Sequence, residues 1–423
     1  MRKSVIICLP NAFSYGWLGS TNRLFNICNA LIKLGFDVHV FSQGYEKKEL
    51  QEAIEYEFPG TVHRYESWLR KSKFKVLHSF ANKVQKVLWR FRGKNIYFSK
   101  LSYGWSDNVN IKSLIDVSKL STDEVSLVWG ICGGKLDGIN LANRVAKELN
   151  VPWVIELHDP PIGADIKIKV SEVEEKYRSL LNSADVIIPT TKTYAELIID
   201  KYYIEQSKVN TIFLTYNNSK IALGKSRVIN SCWSFCYAGT LKGKRTLLPF
   251  IEAISEIINE NPEIRKIVKI KLAGAGDGFD DVLRLADQKN IMDNIDFLGL
   301  LSADEATELQ NSCDVLLLVQ PNENRLEIPG KIFHILASEK QVLGLMDKDI
   351  ETAEILIKSG VGNVVAMNDI NGIKENILSL WMKKDYDALC NPNIDYITSF
   401  SEERLPDHIE NVLEKVNVRV GSL

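Results

Sequence analysis

The feature that most constrains this chain is a repeated alternation between short apolar runs and stretches with helical periodicity. The first apolar run spans residues 4–9, and residues 22–34 follow it with apolar side chains on one helical face before Gly35. Short apolar runs are typical of buried strands, and parallel strands need a helical crossover between them. The alternation therefore predicts an α/β fold, with parallel sheets covered by helices.

The same alternation continues along the whole chain. Further strands are predicted at residues 38–41, 127–130, 153–157, 186–189, 235–237, 268–273, 295–298, 315–319, 342–346 and 364–366. Helices are predicted at residues 139–149, 173–181, 194–203, 247–258, 279–289, 303–310, 331–337, 352–358 and 373–381. A last amphipathic stretch, residues 403–416, follows all the strands, so it need not pack on the second sheet.

The length of the chain predicts two domains. With 423 residues it exceeds what one hydrophobic core usually supports. Residues 212–216 end the first half, and residues 218–231 are polar without a period, as is typical of a linker. The predicted domains therefore span residues 1–217 and 232–399.

Composition and charge exclude several classes of protein. The formal net charge is −2, so no global field attracts nucleic acid, and no nucleic-acid partner is expected. The apolar stretch of residues 5–9 ends at Pro10, too early for a signal peptide, and no run is long enough to span a membrane. Of the seven scattered cysteines, Cys232 and Cys236 are close in sequence, but no second pair and no nearby histidine completes a zinc site. The cysteines are therefore typical of free thiols in a reducing compartment. We expect a cytoplasmic protein.

Glycine-rich loops follow several predicted strands. The glycines are Gly16 and Gly19 after the first strand, Gly239 in GTLKGKR, and Gly274 and Gly276 in AGAGDG. Ligands of parallel sheets bind at the carboxyl ends of strands, where glycine lets the backbone approach them closely. Arg245 and the two lysines of GTLKGKR could neutralise a diphosphate. Each loop taken alone is equally consistent with an ordinary surface turn.

Lys331 begins the predicted helix 331–337, directly after Pro329 and Gly330. A proline and a glycine before a helix expose its first N–H groups, and the lysine adds a full positive charge beside them. The segment is therefore a candidate phosphate site, although a normal helix start has the same pattern.

His158 and Asp159 directly follow the predicted strand 153–157. An imidazole at a strand end can accept a hydrogen bond from a sugar hydroxyl or stabilise developing positive charge. We therefore interpret His158 as functional, against the alternative of a structural histidine. No pair of carboxylates suits an inverting acid–base scheme, and no D-x-D motif directly connects two predicted strands to hold a divalent metal, so no cofactor is expected.

One segment departs from the alternation. Residues 68–94 contain nine basic residues, no acidic one and interleaved aromatics. Such a pattern suits an interfacial helix on anionic lipid, while a solvated helix or loop is the alternative. The residues assigned to this membrane or acceptor surface are Trp68, Arg70, Lys71, Lys73, Lys83, Lys86, Trp89 and Arg90.

Taken together, these segments resemble the GT-B glycosyltransferases of family 4, the retaining bacterial type that builds surface polysaccharides. The resemblance covers most of both halves: FCYAGTLKGKRTLLPFIEAI, IKLAGAGDG, IDFLGLLSADEATELQNSCDVLLLV and IPGKIFHILASEKQVLGLM follow in family order, and VIELHDPP resembles the catalytic-histidine segment. It implies two Rossmann-like, doubly wound parallel-sheet domains facing across a cleft. It also implies that residues 400–423 form a helix that crosses back to the first domain.

The resemblance also implies roles for residues. Arg245 and Lys331 would face the donor diphosphate, the backbone around Leu298 and Gly299 would hold the base, and His158 would contact the donor sugar. The leaving diphosphate would help to deprotonate the acceptor on the same face, which requires neither a carboxylate nucleophile nor a metal.

The sequence departs from the family pattern at two positions. Thr240 stands where the family usually has a basic residue, and His334 stands where a glutamate usually holds the donor ribose. Imidazole can still bond a hydroxyl, and Glu327 lies four positions before Lys331.

Three functional hypotheses follow. The first is transfer of a sugar from a nucleotide-sugar donor to a glycan or lipid-linked acceptor, at the inner face of the cell membrane. The second is a sugar-nucleotide 2-epimerase of the same fold. The third is a nucleotide-sugar-binding protein without catalysis.

Overall fold

The computed structural model describes residues 3–10, 12, 18–43, 57–65, 104–107, 109–161, 171–217, 232–383 and 389–420. The chain divides into two compact units. Unit 1 comprises Met1–Thr215 together with Glu403–Leu423, and unit 2 comprises Tyr216–Glu402.

Strands and helices alternate along the described residues. The strands are β1 (Ser4–Cys8), β2 (Asp37–Gln43), β3 (Thr61–Tyr65), β4 (Val125–Gly133), β5 (Trp153–Asp159), β6 (Val186–Pro189), β7 (Trp233–Ala238), β8 (Val268–Ala273), β9 (Ile295–Phe297), β10 (Val315–Val319), β11 (Gln341–Leu345) and β12 (Gly362–Val365). The helices are α1 (Leu18–Lys33), α2 (Gly104–Asp107), α3 (Ile111–Ser118), α4 (Asp137–Leu149), α5 (Ser171–Ser183), α6 (Lys192–Tyr202), α7 (Leu248–Glu260), α8 (Pro262–Ile267), α9 (Gly278–Gln288), α10 (Ala303–Asn311), α11 (Lys331–Ala337), α12 (Glu351–Lys358), α13 (Ile370–Met382), α14 (Ile394–Thr398) and α15 (Leu405–Lys415).

Unit 1 contains a six-stranded parallel sheet in the order β3-β2-β1-β4-β5-β6. Its central strands are apolar on both faces because helices cover both; all five residues of β1 are buried. Two hydrophobic cores result, one on each side of the sheet. The order reverses beside β1, and in doubly wound sheets this reversal marks the edge where ligands bind.

Unit 2 repeats this architecture with the order β12-β11-β10-β7-β8-β9, again all parallel. Here β7 and β10 are the neighbouring central strands, and both are almost fully buried. The loops after β7, β8, β9 and β10 therefore gather at one edge of the sheet.

The last helix, α15, belongs to unit 1. Its apolar residues Leu405, Ile409 and Val412 share a core with Val5 of β1 and Leu24 of α1. The periodicity left its packing partner open, whereas the resemblance implied that residues 400–423 cross back to the first domain; α15 packs on the first sheet.

The predicted strands and helices are confirmed within a few residues, and β6, β8, β10 and α11 to the residue. The elements without a prediction are β3, α2, α3, α8 and α14. All seven cysteines are unpaired, and five of them are buried. Among the described residues, no helix is long and apolar enough to cross a membrane.

Candidate functional site

Three loops at the carboxyl edge of the unit 2 sheet are joined by backbone hydrogen bonds. Gly239 after β7 donates to Ala273 O over 2.9 Å, and Leu241 donates to Ala275 O over 3.1 Å. Gly274 after β8 donates in turn to Gly299 O over 2.7 Å. The predicted glycine loops are thus brought together into one continuous backbone surface.

This close approach requires glycine at two positions. Gly274 has a φ of 139°, and a Cβ atom there would lie 1.7 Å from Gly239 O. Gly276 has a φ of 123°, and its Cβ would lie 1.9 Å from Leu241 O. An L side chain rarely adopts such φ values and would push the two loops apart, so both glycines are needed by the backbone geometry.

Lys331 reaches into this backbone surface from the start of α11. Its Nζ donates to Ala238 O over 3.3 Å and lies 4.3 Å from the centre of the Tyr237 ring. A Cβ atom on Gly239 would lie only 2.8 Å from the ammonium, so that glycine makes room for the lysine. Tyr237 is fully buried, and its hydroxyl donates to Thr240 O over 3.0 Å, which fixes the ring under the cation.

Arg245 brings a second positive charge to the same place. Burial of the ammonium and then the charge of Arg245 lower the pKa of Lys331 from 10.5 to about 7. Arg245 Nε is buried without a hydrogen-bond partner. Among the residues that the structure describes, neither cation has a carboxylate within ion-pair distance. The two charges are therefore unfavourable together until an anion compensates them.

Five further predicted donor residues lie in unit 2. Glu327 lies in the loop before α11, and its Oε2 accepts from Asn324 Nδ2 over 3.2 Å. The buried Gln320 ties that loop to β10 by donating to the carbonyls of Asn324 and Glu327. His334 and Thr240 are exposed. Leu298 is exposed as well, and Gly299 beside it has a φ of 66° with no atom near its Cβ position.

His158 lies at the carboxyl end of β5 in unit 1, where its side chain is only 10% exposed. Its Nε2 is 2.8 Å from Glu156 Oε1. The same oxygen accepts from Arg23 Nε over 2.8 Å, and Glu156 Oε2 accepts from Trp129 Nε1 over 3.0 Å. Glu156 is fully buried, so a charged network stands behind the histidine.

The ionisation of Glu156 follows from these contacts. Burial raises its pKa, but the charge of Arg23 and the hydrogen bonds from His158 and Arg23 outweigh burial. The result is a pKa lowered from 4.5 to about 2. The carboxylate is therefore charged at any physiological pH, and it acts only as an acceptor.

Other predicted residues are placed differently or lie outside the described residues. Asp159 ends β5 and is exposed, and Gly19 lies in the first turn of α1. Gly16 and the whole basic and aromatic segment 68–94 lie outside the described residues. Among the residues described, no group of three His, Cys, Asp or Glu side chains could hold a metal ion.

Sequence reasoning missed Glu156, Arg23 and Tyr237. A signal existed for Glu156, because it interrupts the apolar strand WVIEL two positions before His158, and alternate strand residues share a face. A carboxylate in a buried strand needs a partner, and the next residue on the same face is that histidine.

No protein-family model matches the chain, and no curated protein matches it. Solved structures do resemble it. A glycosyltransferase from Rickettsia africae shares 13% identity, with a TM-score of 0.67 over 98% of this chain and 99% of that one. HepE of Anabaena in complex with UDP shares 13% identity, with a TM-score of 0.62 over 98% and 100%. A protein from Listeria monocytogenes named as a UDP-N-acetylglucosamine 2-epimerase shares 13%, with a TM-score of 0.58 over the full length of both chains.

These similarities establish the fold. The chain has the GT-B architecture of two Rossmann-like units, as the sequence predicted, and its structural neighbours include GT-B glycosyltransferases. At 13% identity they do not carry an activity over to this chain.

Proposed function

We propose that this protein is a retaining glycosyltransferase that moves a sugar from a nucleotide-sugar donor to a glycan or lipid-linked saccharide in polysaccharide biosynthesis. The observation that carries the proposal is the pair of cations in unit 2, Lys331 and Arg245. They lie at the carboxyl edge of the sheet beside the backbone of Gly239 and Gly274.

The donor diphosphate fits this site by charge and by shape. Two neighbouring cations without a carboxylate repel each other, and a diphosphate between them removes that repulsion and supplies charge-assisted acceptors. The glycines carry no side chain, so they let a phosphate approach the loop backbone closely. The same charges stabilise the diphosphate as it leaves. They therefore stabilise the transition state more than the bound donor, and this difference accelerates the reaction.

Uridine is the base that we propose first, because the Anabaena neighbour is a complex with UDP. The exposed Leu298 and the open backbone at Gly299 offer an apolar face and main-chain groups for a planar base. Glu327 and His334 remain the candidates for the ribose hydroxyls, in place of the single glutamate of the family pattern.

We assign His158 and Asp159 in unit 1 as the catalytic residues, in keeping with the resemblance to the catalytic-histidine segment. Retention then needs no carboxylate nucleophile, because the leaving diphosphate takes the acceptor proton. We further propose that no metal cofactor is required, since the side chains of Lys331 and Arg245 supply the positive charge. Unchanged turnover in EDTA is the expected result.

The acceptor proposal rests on sequence alone. The nine basic residues and interleaved aromatics of residues 68–94 suit a surface of anionic lipid, so we propose an acceptor carried on a membrane lipid. Sedimentation with vesicles of phosphatidylglycerol, but not with vesicles of phosphatidylcholine, is the expected behaviour.

A ligand screen followed by product analysis tests the proposed function. We expect one family of UDP-, GDP- or ADP-sugars to raise the thermal unfolding temperature, because a ligand that binds only the native state stabilises it. The stabilising donor is then incubated with the protein, and NMR records the anomer released by slow hydrolysis. Retention predicts that the first sugar released has the anomeric configuration of the donor. The opposite anomer, or no stabilisation by any nucleotide sugar, contradicts the proposal.

The 2-epimerase remains a second candidate, favoured by the full-length likeness to the Listeria protein. An epimerase converts UDP-N-acetylglucosamine without any acceptor and exchanges the hydrogen at C2 with solvent. Incubation in D₂O separates the two functions: deuterium at C2 of the recovered nucleotide sugar identifies an epimerase, and its absence favours the transferase.

A further inference from the structure

The network behind His158 has an unusual balance of donors. One carboxylate, Glu156, accepts hydrogen bonds from three donors on three different elements. Arg23 of α1 and His158 of β5 share Oε1, and Trp129 of β4 takes Oε2. Because a carboxylate has about four acceptor positions, all three donors are satisfied at once.

Stability alone does not account for this network. Removing a carboxylate and a guanidinium from water costs several kcal/mol per ion, and well-packed apolar side chains of similar size are often as stable or more so. Glu156 is fully buried, and Arg23 is 3% exposed. Apolar side chains at both positions could fill the same space, so we attribute to the carboxylate a second role, towards the side chain that it holds at its outer end.

That side chain is His158, and the contact fixes which of its nitrogens carries the proton. Trp129 and Arg23 can only donate, so both carboxylate oxygens are acceptors in this arrangement. His158 Nε2 must then donate its N–H to Oε1, and in the neutral ring Nδ1 is left as an acceptor. Among the described residues, Nδ1 has no hydrogen-bond partner.

We propose that Glu156, held by Arg23 and Trp129, is a positioning residue that locks His158 in the Nε2–H form and presents Nδ1 as an acceptor for a hydroxyl of the sugar substrate. This inference rests on the proposed function, since it assumes that His158 contacts substrate. Arg23 and Trp129 contribute by fixing the two carboxylate oxygens, so that the imidazole ring keeps one orientation.

The first experiment needs no variant. Histidine is labelled with ¹⁵N in the full-length protein, and the His158 signals are identified by their loss in His158→Ala. At a pH where the ring is neutral, we expect a protonated Nε2 and an unprotonated Nδ1. A protonated Nδ1, or rapid exchange between the two forms, overturns the proposal.

Two double variants then test whether His158 needs a hydrogen-bond acceptor at position 156 or the negative charge of Glu156. Arg23→Met/Glu156→Leu replaces the ion pair by apolar side chains and keeps the core filled, but it leaves Nε2 without an acceptor. Glu156→Gln/Trp129→Phe keeps one acceptor oxygen for Arg23 and His158, and it removes the indole N–H that would otherwise face the amide NH₂. Trp153→Phe is the matched control, because its buried indole donates to Ser183 O and not to Glu156.

We expect the apolar pair to lose the fixed Nε2–H form and to lower kcat about 10- to 100-fold, by analogy with the partners that orient metal-binding histidines. The KM of the donor should change little. The amide variant keeps the Nε2–H form and recovers most of kcat. Equal losses in both variants, or a loss in Trp153→Phe as large as in the apolar pair, contradict the proposal. A third outcome is that the wild type shows a fixed Nε2–H form but His158→Ala keeps full turnover. In that case the proposed catalytic role of His158 fails, and the proposed function fails with it.

Discussion

The two units place positive charge at equivalent edges of similar sheets, and they treat it in opposite ways. In unit 1, Arg23 is paired with Glu156 at 2.8 Å, and the charge is balanced inside the protein. In unit 2, Lys331 and Arg245 stand side by side with no carboxylate within ion-pair distance among the residues described. Each arginine keeps one buried nitrogen without a hydrogen-bond partner, Nη2 of Arg23 and Nε of Arg245, so the two arrangements differ in charge balance.

This difference separates two roles that look alike in a sequence. A cation with its own carboxylate holds a structure in place, and here it orients His158. A pair of cations that repel each other costs stability in the absence of ligand, and under the proposed function the binding of a diphosphate recovers that cost. The comparison therefore predicts opposite outcomes when each charge is removed.

The largest expected effect comes from breaking the balanced pair. Glu156→Leu leaves Arg23 buried and uncompensated, and we expect it to lower the free energy of unfolding by about 3–5 kcal/mol. Urea unfolding measures this loss. The double variant Arg23→Met/Glu156→Leu should regain most of it, and a single variant as stable as the wild type would show that the pair is not coupled.

Removing the unbalanced charge should act on activity and not on stability. Lys331→Met should lower kcat/KM about 100- to 1000-fold, roughly 2.7–4 kcal/mol of transition-state stabilisation. Its unfolding temperature should be unchanged or higher, because a repelled charge is gone. Lys266→Ala is the control, since Lys266 is exposed and precedes the opposite end of β8. A Lys331→Met variant that is destabilised but fully active would contradict this account, because Lys331 would then be a structural residue.

The backbone surface around the unbalanced charge can be disturbed separately. Gly274→Ala places a Cβ 1.7 Å from Gly239 O, so it should destabilise unit 2 by about 1–3 kcal/mol and weaken UDP binding. Gly243→Ala is its matched control, because Gly243 also has a positive φ, 61°, but no atom lies within 4 Å of its Cβ position. Equal losses of stability in the two variants would mean that backbone strain alone, and not the clash between loops, sets the cost.

The smallest effects are the pH dependences, which should differ between the two units. The pKa of Glu156 is lowered from 4.5 to about 2, so its contribution to stability is present above pH 4.5 and is lost as the pH falls towards 2. The pKa of Lys331 is lowered from 10.5 to about 7, so the folded state binds fewer protons than the unfolded state between these values. Stability should therefore rise from pH 7 upwards until other groups titrate. Unfolding curves of the wild type and of Lys331→Met from pH 7 upwards test this prediction. The rise in stability with pH should be absent in the variant.

The sequence predicted the strands and helices well wherever the pattern was uniform. Val315–Val319 agrees to the residue because it is a short apolar run between Asp314 and Gln320. Val268–Ala273 agrees because apolar residues alternate with Lys269 and Lys271 until Gly274. The edge strand Thr61–Tyr65 was missed because TVHRY contains one aliphatic residue and lies half-exposed at the end of the sheet. An edge strand buries too little to leave a pattern.

The site was predictable in part. Lys331, Arg245 and the glycine loops follow from strand ends, because parallel strands bring their carboxyl ends to one edge. The two residues of the contact between Arg23 and Glu156 are 133 positions apart in the chain, and no local pattern in the sequence of α1 predicts the contact. The low pKa of Lys331 likewise depends on burial of its ammonium and on the nearby charge of Arg245, which only the folded chain specifies.

Titration of UDP into the wild type and Lys331→Met by calorimetry tests the central claim most directly. The titrations are run at pH 8 in two buffers of different ionisation enthalpy, so that proton uptake can be measured. At this pH a lysine with a pKa near 7 is mostly neutral before UDP binds. We expect the wild type to take up close to one proton per UDP, because the diphosphate raises that pKa, and the variant to take up none and bind about 10- to 100-fold more weakly. Equal affinities and no difference in proton uptake would contradict the account.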